Sequence, residues 1–173
     1  MLKKTFFFSI FLFGFNANSQ NHKEQATPVK DSISLVELNR ALITNCINDL
    51  FDGMKTGDST LVREVLSPEI RLQTTFTARN GEIVLKTESA EDFLEAIGTP
   101  RKELWNEVIS NLKIDVDGSL GQAWMDYSFY LNDEFSHCGV NAMQFVYDGE
   151  SWKIIQIIDT RRRTDCNKKS DLK

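Results

Sequence analysis

The sequence predicts one α+β domain, in which helices come first and a long antiparallel sheet follows. Three runs near the C-terminus, 120–131, 137–147 and 152–163, alternate apolar and polar side chains and are separated by turn residues. Such alternation is typical of strands with one buried face. The first half instead has apolar residues at spacings of three and four, which is typical of helices. This order favours a bent sheet that packs on the helices and leaves a sheet-lined hollow.

The longest predicted helix is amphipathic. Asp-Ser at 31–32 can cap its start, and Gly57 ends it. A second helix is predicted over 59–66, with Asp58 as its N-cap, and a third over 89–97. The apolar face of the first helix consists of Leu35, Leu38, Leu42, Cys46, Leu50 and Met54.

Earlier strands are predicted from β-branched residues and turn signals. The segments 70–77 and 83–85 flank Asn80-Gly81, a strong hairpin turn. The segment 108–116 is the next predicted strand, and an Asp-Gly turn joins it to the three C-terminal runs.

The register of the last long hairpin decides which side chains share a face. A two-residue turn at 132–133 pairs Leu131 with Glu134 and, by continuation, Ser128 with His137. One face is then apolar, and the other mixes aromatic and polar groups as ligand cavities do. Trp124 fits either a cavity wall or a dimer interface. This register predicts as ligand-binding residues Trp124, Asp126, Tyr130, His137 and Asn141.

The N-terminus has the pattern of a secretory signal peptide at residues 1–19. Two lysines precede a short apolar run, and small residues precede Gln20. The run is too short for a stable membrane anchor. We therefore expect export to the periplasm or the extracellular space. The remainder divides into a flexible lead-in at 20–32, a folded domain at 33–163 and a charged tail at 164–173.

The charge balance narrows the classes of partner. The chain carries a formal charge of −5, and loss of the signal peptide removes two lysines and no acid. Nucleic acid and anionic membranes are negatively charged and repel an acidic protein. We therefore predict neither a nucleic-acid partner nor a membrane partner. Arg161, at a strand end, suits either an anionic ligand or an ion pair with a nearby acid.

The chain has three cysteines, and their positions indicate which of them could form a disulfide. Cys46 lies on the apolar face of the first helix and is expected to be a small buried residue. Cys138 and Cys166 lie on or just beyond the sheet, which makes them the better disulfide pair in an exported protein. Three free thiols remain the alternative.

Three segments resemble exported bacterial members of the nuclear transport factor 2-like superfamily, some of them labelled lumazine-binding proteins. The segments are 136–142 (Ser-His-Cys-Gly-Val-Asn-Ala), 152–154 (Trp-Lys-Ile) and 159–162 (Asp-Thr-Arg-Arg). The resemblance covers about 33–166. It implies a cone-shaped bent antiparallel sheet wrapped around a long N-terminal helix, a pocket at the wide end, and a homodimer formed through the outer sheet face. The superfamily contains enzymes and non-catalytic binding modules, so the fold does not choose between them.

Asp126 and His137 are the candidate catalytic pair. A carboxylate that orients an imidazole can abstract a proton next to a carbonyl, with Tyr130 or Asn141 polarising the oxygen. The alternative is a hydrogen-bonded pair that serves only the sheet. His137 and Cys138 are adjacent in a strand and face opposite sides, which excludes a Cys–His nucleophile and a shared metal site. No metal or other cofactor is predicted.

These observations favour an exported module that binds a small apolar or aromatic molecule without catalysis. The alternative function is a small-molecule isomerase or dehydratase that uses the Asp126 and His137 pair.

Overall fold

The computed structural model describes residues 29–166, with side chains described from residue 35 onward. The predicted signal peptide, residues 20–28 of the lead-in and the tail from residue 167 lie outside this part of the chain. No helix within 29–166 is long and apolar enough to cross a membrane. The elements, in chain order, are α1 (Val29–Thr56), α2 (Ser59–Val65), β1 (Leu66–Thr77), β2 (Ile83–Glu88), α3 (Ala90–Gly98), β3 (Trp105–Asp117), β4 (Leu120–Leu131), β5 (Glu134–Tyr147) and β6 (Trp152–Thr160).

The six strands form one sheet in the order β2-β1-β6-β5-β4-β3. All neighbouring pairs are antiparallel except β1 and β6, which run parallel. The three C-terminal runs therefore lie side by side as β4, β5 and β6. The predicted α+β domain is confirmed, but the sheet, which was expected to be antiparallel, contains one parallel pair.

Helix α1 begins earlier than the sequence suggested. It starts at Val29, so residues 29–32 are helical where a flexible lead-in was expected. This stretch contains neither glycine nor proline, the two residues that most oppose a helix. Gly57, with φ of +78°, follows the helix as predicted. Asp58 then caps α2, because its Oδ1 accepts hydrogen bonds of 3.0 Å from the amides of Thr60 and Leu61.

The core lies between α1 and the inner face of the sheet. Ile43, Ile47 and Leu50 are almost completely buried there. Gly121 of β4 permits the close approach, since a Cβ at that position would lie 2.6 Å from Ile43 Cδ1. Cys46 is buried as predicted, and its thiol donates to the Trp152 carbonyl at 3.6 Å.

The N-terminal part of the predicted apolar face does not join this core. Leu35, Leu38 and Leu42 are 59%, 54% and 41% exposed. The helix is longer than the core on which it packs, so its first turns carry apolar side chains into solvent.

The β4–β5 hairpin contains a bulge that the sequence did not reveal. Leu131 pairs with Glu134 as predicted, but Phe129 pairs with His137, so Ser136 is an extra residue in β5. The predicted pairing of Ser128 with His137 is therefore wrong by one position. A bulge of one residue exchanges the faces of all side chains beyond it relative to the partner strand.

This bulge changes the composition of both faces. The inner face combines Tyr127 and Phe129 with His137 and Asn141, and the outer face carries Trp124 and other residues that alternate with these. A second irregularity occurs where Gln144 pairs with Gln156 and Phe145 pairs with Ile154. It makes Ile155 the extra residue of β6. Ile157 and Asp159 therefore face inward, and Ile158 faces outward.

A disulfide bond joins Cys138 and Cys166, with Cα atoms 5.8 Å apart. This is the pairing that the sequence analysis preferred. Cys138 also exchanges two backbone hydrogen bonds of 2.9 Å with Arg162. Together these contacts fasten the chain beyond β6 to the middle of β5.

Candidate functional site

A cavity of about 570 Å³ lies between the inner sheet face and helices α1 and α3. This volume is in the usual range for a small-molecule site. All six strands and both helices contribute to its lining. Most of its wall is apolar and consists of Leu50, Phe51, Met54, Leu72, Phe93, Trp105, Phe129, Met143 and Ile157.

Aromatic rings form one side of the cavity. The rings of Phe129 and His137 lie 4.9 Å apart between centroids, at an interplanar angle of 32°. Tyr127 contacts His137 edge-on at 5.8 Å, and Trp105 contacts Phe129 edge-on at 6.3 Å. The Arg101 guanidinium lies 4.1 Å from the Trp105 ring centre. These contacts hold the aromatic side in place.

Arg101 connects this wall to the helices. Its guanidinium donates to the carbonyl oxygen of Ile97 at 2.6 Å and also to that of Met54. These carbonyls belong to the last turns of α3 and α1, where intrahelical partners are missing and a cation is favoured. One side chain therefore anchors two helix ends and the ring of Trp105.

Glu107 of β3 lines the cavity and is partly buried. Asn141 Nδ2 donates to Glu107 Oε1 at 2.7 Å. The pKa of Glu107 is raised to about 7. Burial is the main cause and the hydrogen bond from Asn141 partly offsets it; the charge of Asp159 adds to the rise and that of Arg161 opposes it. The carboxyl therefore changes its charge near neutral pH.

Tyr127 and Asp159 form a second polar pair. The Tyr127 hydroxyl lies 2.8 Å from Asp159 Oδ2 and 2.9 Å from the Thr160 carbonyl oxygen, and it donates to these acceptors. Burial, and then the nearby Asp159 charge, raises the pKa of Tyr127 well above its usual range. Arg161 Nε lies 3.8 Å from the same Asp159 oxygen. This is the ion pair with a nearby acid that was one of the two alternatives for Arg161. The hydroxyl is therefore a permanent donor at neutral pH.

His137 is uncharged in this environment. Burial, followed by the charges of Arg161 and Arg163, lowers the pKa of His137 to about 4. Its Nδ1 lies 3.0 Å from the Ser136 hydroxyl. At neutral pH the ring behaves as an aromatic surface with one donor and one acceptor nitrogen.

Gly139 lets the end of β6 reach the cavity. A Cβ at this position would lie 1.7 Å from the Thr160 carbonyl oxygen and 2.7 Å from the Tyr127 ring. Any side chain would therefore push β6 away. The close crossing is what brings Asp159 and Arg161 onto the lining.

The predicted site residues do not all reach the cavity. His137 and Asn141 line it. Trp124 and Asp126 lie on the outer face, where Trp124 is 55% exposed and Asp126 Oδ2 accepts from Asn111 at 2.7 Å. Tyr130 is buried against Phe135 and does not line the cavity. The prediction that Asp126 and His137 share a face is wrong, because the Ser136 bulge places them on opposite sides of the sheet.

Glu107, Tyr127 and Asp159 were not predicted as site residues from the sequence. The predicted strand began at Val108, one residue too late to include Glu107. An acid between Trp105 and Ile109 in an alternating run was the available signal. Within residues 29–166, no group of three His, Cys, Asp or Glu side chains is placed to hold a metal ion.

Comparison with known proteins gave matches among solved structures. No family model matches the chain, and no curated protein matches it at a significant level. A nuclear transport factor 2-like protein with a cystatin-like fold from Novosphingobium aromaticivorans has a TM-score of 0.62 at 10% identity, over 87% of this chain and 99% of its own. A nuclear transport factor 2-like protein of unknown function from Shewanella baltica has a TM-score of 0.53 at 14% identity, over 80% and 99%.

A third similar structure is a protein from Novosphingobium aromaticivorans proposed to be a scytalone dehydratase. Its TM-score is 0.58 at 15% identity, over 80% of this chain and 93% of its own. At such identities the likeness concerns the backbone and not the chemistry of the site. The chain has the nuclear transport factor 2-like fold that the resemblance implied.

Proposed function

We propose that the protein binds a small, largely apolar molecule in the cavity between the sheet and helices α1 and α3. The observation that carries this proposal is an apolar cavity of about 570 Å³ into which the Glu107–Asn141 pair projects. Apolar walls supply binding free energy, and a few buried polar groups fix the orientation of a ligand.

Fluorescence titration tests this proposal. N-phenyl-1-naphthylamine is apolar, uncharged at neutral pH and emits strongly in a dry environment. We expect saturable binding of one probe per chain. Ala96 lines the cavity, so Ala96→Trp should weaken binding at least about tenfold, whereas Arg79→Trp, in the β1–β2 turn, should not. Absence of saturable binding, or equal binding by both variants, would contradict the proposal.

We also propose that the protein is exported. The signal-peptide pattern of residues 1–19 supports this, as does a disulfide bond, which persists in oxidising compartments. N-terminal sequencing of protein recovered from outside the cytoplasm should begin at Gln20. Recovery of a chain that retains Met1 in the cytoplasm would contradict export.

A homodimer through the outer sheet face is the proposed assembly. Trp124 and Leu120 face outward on β4 and are 55% and 56% exposed. Exposed apolar groups on one face favour association. Sedimentation should show a dimer that Trp124→Lys converts to a monomer, whereas Ile83→Lys, on edge strand β2, leaves it intact. A wild-type monomer at high concentration would reject this assembly.

The second candidate function is an isomerase or dehydratase that uses Glu107 as its acid or base. A pKa near 7 suits proton transfer at neutral pH, and Glu107 lines a largely apolar cavity. The test is deuterium exchange next to the carbonyl of enolisable ketones, followed by NMR. Exchange should be catalysed by the wild type and lost in Glu107→Gln but not in Glu134→Gln. Equal exchange with and without protein across the panel would reject catalysis of this kind.

A further inference from the structure

The charged side chains around the cavity are unequally paired. Six of them line it: Lys86, Glu88, Asp92, Glu107, Asp159 and Arg161. Lys86 forms an ion pair with Glu88 at 2.7 Å, and Arg161 lies 3.8 Å from Asp159. Within the described chain, this leaves Asp92 and Glu107 without a cation in ion-pair distance. The cavity therefore has an excess of acid over base.

Glu107 is the one of these two that needs a partner. Asp92 is exposed in the first turn of α3, where the helix dipole favours an acid. Glu107 is partly buried on the inner face, and in the described structure its hydrogen bond comes from Asn141, to Oε1. A carboxylate that has lost water without gaining a cation is costly. Its Oε2 is thus an acceptor for which residues 29–166 supply no charged donor.

The surroundings of Glu107 suit a positive charge. Phe129 and His137 follow Glu107 in one register row across β3, β4 and β5. Aromatic faces attract cations, and an uncharged His137 does not repel them. The Thr74 hydroxyl, on the same inner face opposite Asp159, is buried and has no hydrogen-bond partner in the described chain. It offers one more oxygen on the lining.

We infer that the ligand of this cavity is an organic cation, a small hydrophobic amine whose ammonium group pairs with Glu107 while its apolar part packs on the aromatic wall. This inference rests on the proposed binding function and adds the chemical class of the ligand. An anionic ligand is disfavoured, because Glu107 and Asp159 repel it and Arg161 is already paired and half exposed.

The charge state of Glu107 gives the inference a second signature. The groups that face it are Tyr127 from β4, His137 and Asn141 from β5, and Asp159 and Arg161 from β6. With its pKa raised to about 7, Glu107 gains its charge between about pH 6 and pH 8. An amine, charged throughout this range, should bind more tightly as the pH rises. An uncharged ligand should gain nothing.

The test is displacement of N-phenyl-1-naphthylamine by a matched pair, 1-naphthylmethylamine and 1-naphthylmethanol. At pH 8 the amine should bind the wild type at least about tenfold more tightly than the alcohol. Glu107→Gln should reduce this ratio to near one, and Glu134→Gln, at the exposed start of β5, should preserve it. In the wild type the preference for the amine over the alcohol should decrease as the pH is lowered from 8 to 6.

The outcomes separate the two proposals. If the alcohol binds as well as the amine, or if the amine preference survives in Glu107→Gln, the cation inference is overturned and the binding function stands. A wild-type ratio that does not change with pH also overturns the inference, without relying on any variant. If the fluorescent probe itself fails to bind, both proposals fail together.

Discussion

Asn141 and Glu107 are joined by a hydrogen bond of 2.7 Å, although 34 positions separate them in the chain. Asn141 lies on β5 and Glu107 on β3, so the bond spans the strand between them. The amide favours the ionised carboxyl, and burial opposes it more strongly, which leaves the pKa of Glu107 at about 7.

Removal of the Asn141 amide should raise the pKa of Glu107 further. Asn141→Leu keeps a similar volume and deletes the donor that stabilises the charged carboxyl. The variant should also be less stable by about 1–3 kcal/mol, because a buried acceptor loses its partner. Carbon-13 NMR of labelled glutamate measures the pKa, and Glu107→Gln identifies the resonance. An unchanged or lowered pKa would contradict this role for Asn141.

Glu107→Gln should remove a pH dependence of stability. The carboxyl holds its proton in the folded protein up to about pH 7, whereas the unfolded chain releases it near pH 4.5. Between these values the folded state binds more protons, so the free energy of unfolding falls as the pH rises. The free energy of unfolding of the variant, minus that of wild type, should therefore increase by about 2–3 kcal/mol between pH 5 and pH 8. Urea unfolding at both pH values measures it, and a constant difference would contradict the raised pKa.

His137→Phe should have the opposite signature. The unfolded chain takes up a proton below pH 6.5 that the folded His137 accepts only near pH 4. The contribution of His137 is therefore present above pH 6.5 and lost as the pH falls towards 4. Between pH 4.5 and 6.5 the His137 and Glu107 effects oppose each other, so wild type should respond weakly. In His137→Phe the free energy of unfolding should fall as the pH rises through this window, and the same pH response in wild type and variant would be inconsistent with a buried neutral ring.

Tyr127→Phe should destabilise the end of β6. The hydroxyl supplies a donor to Asp159 Oδ2 and to the Thr160 carbonyl. Its loss leaves a half-buried carboxylate with fewer partners, at a cost of about 1–3 kcal/mol in the free energy of unfolding. Tyr147→Phe, at a side chain that is 39% exposed, is the matched control and should change stability by less than about 0.5 kcal/mol. Equal effects of the two substitutions would show that the Tyr127 hydroxyl contributes nothing specific.

Loss of the disulfide should lower stability through the C-terminal connection. Cys138 and Cys166 are 28 positions apart, and a loop of this size corresponds to about 3.6 kcal/mol in the chain-entropy account. Cys138→Ala with Cys166→Ala should show that loss in urea unfolding. Dithiothreitol should lower the free energy of unfolding of wild type to that of the variant and leave the value for the variant unchanged. Identical unfolding of wild type with and without the reductant would exclude a stabilising bond.

The amino-acid sequence by itself determined the local structure. Apolar spacing defined α1, the Asp58 cap fixed the start of α2, and the turn at 132–133 gave the closing pair of the β4–β5 hairpin. Strand alternation also placed His137 and Cys138 on opposite faces, as the cavity lining and the disulfide show. These features depend on contacts between residues close in the chain, and such contacts leave a periodic pattern.

Only the tertiary structure decided which polar groups meet. The extra residues Ser136 and Ile155 reverse the faces of β5 and β6 relative to their neighbours. Asp126 was thereby moved outward, and Asp159 was brought inward. The pairing of Glu107 with Asn141 requires strands that are distant in the chain to lie across one curved sheet. The pKa of Glu107 follows from burial in that assembly, which no local pattern encodes.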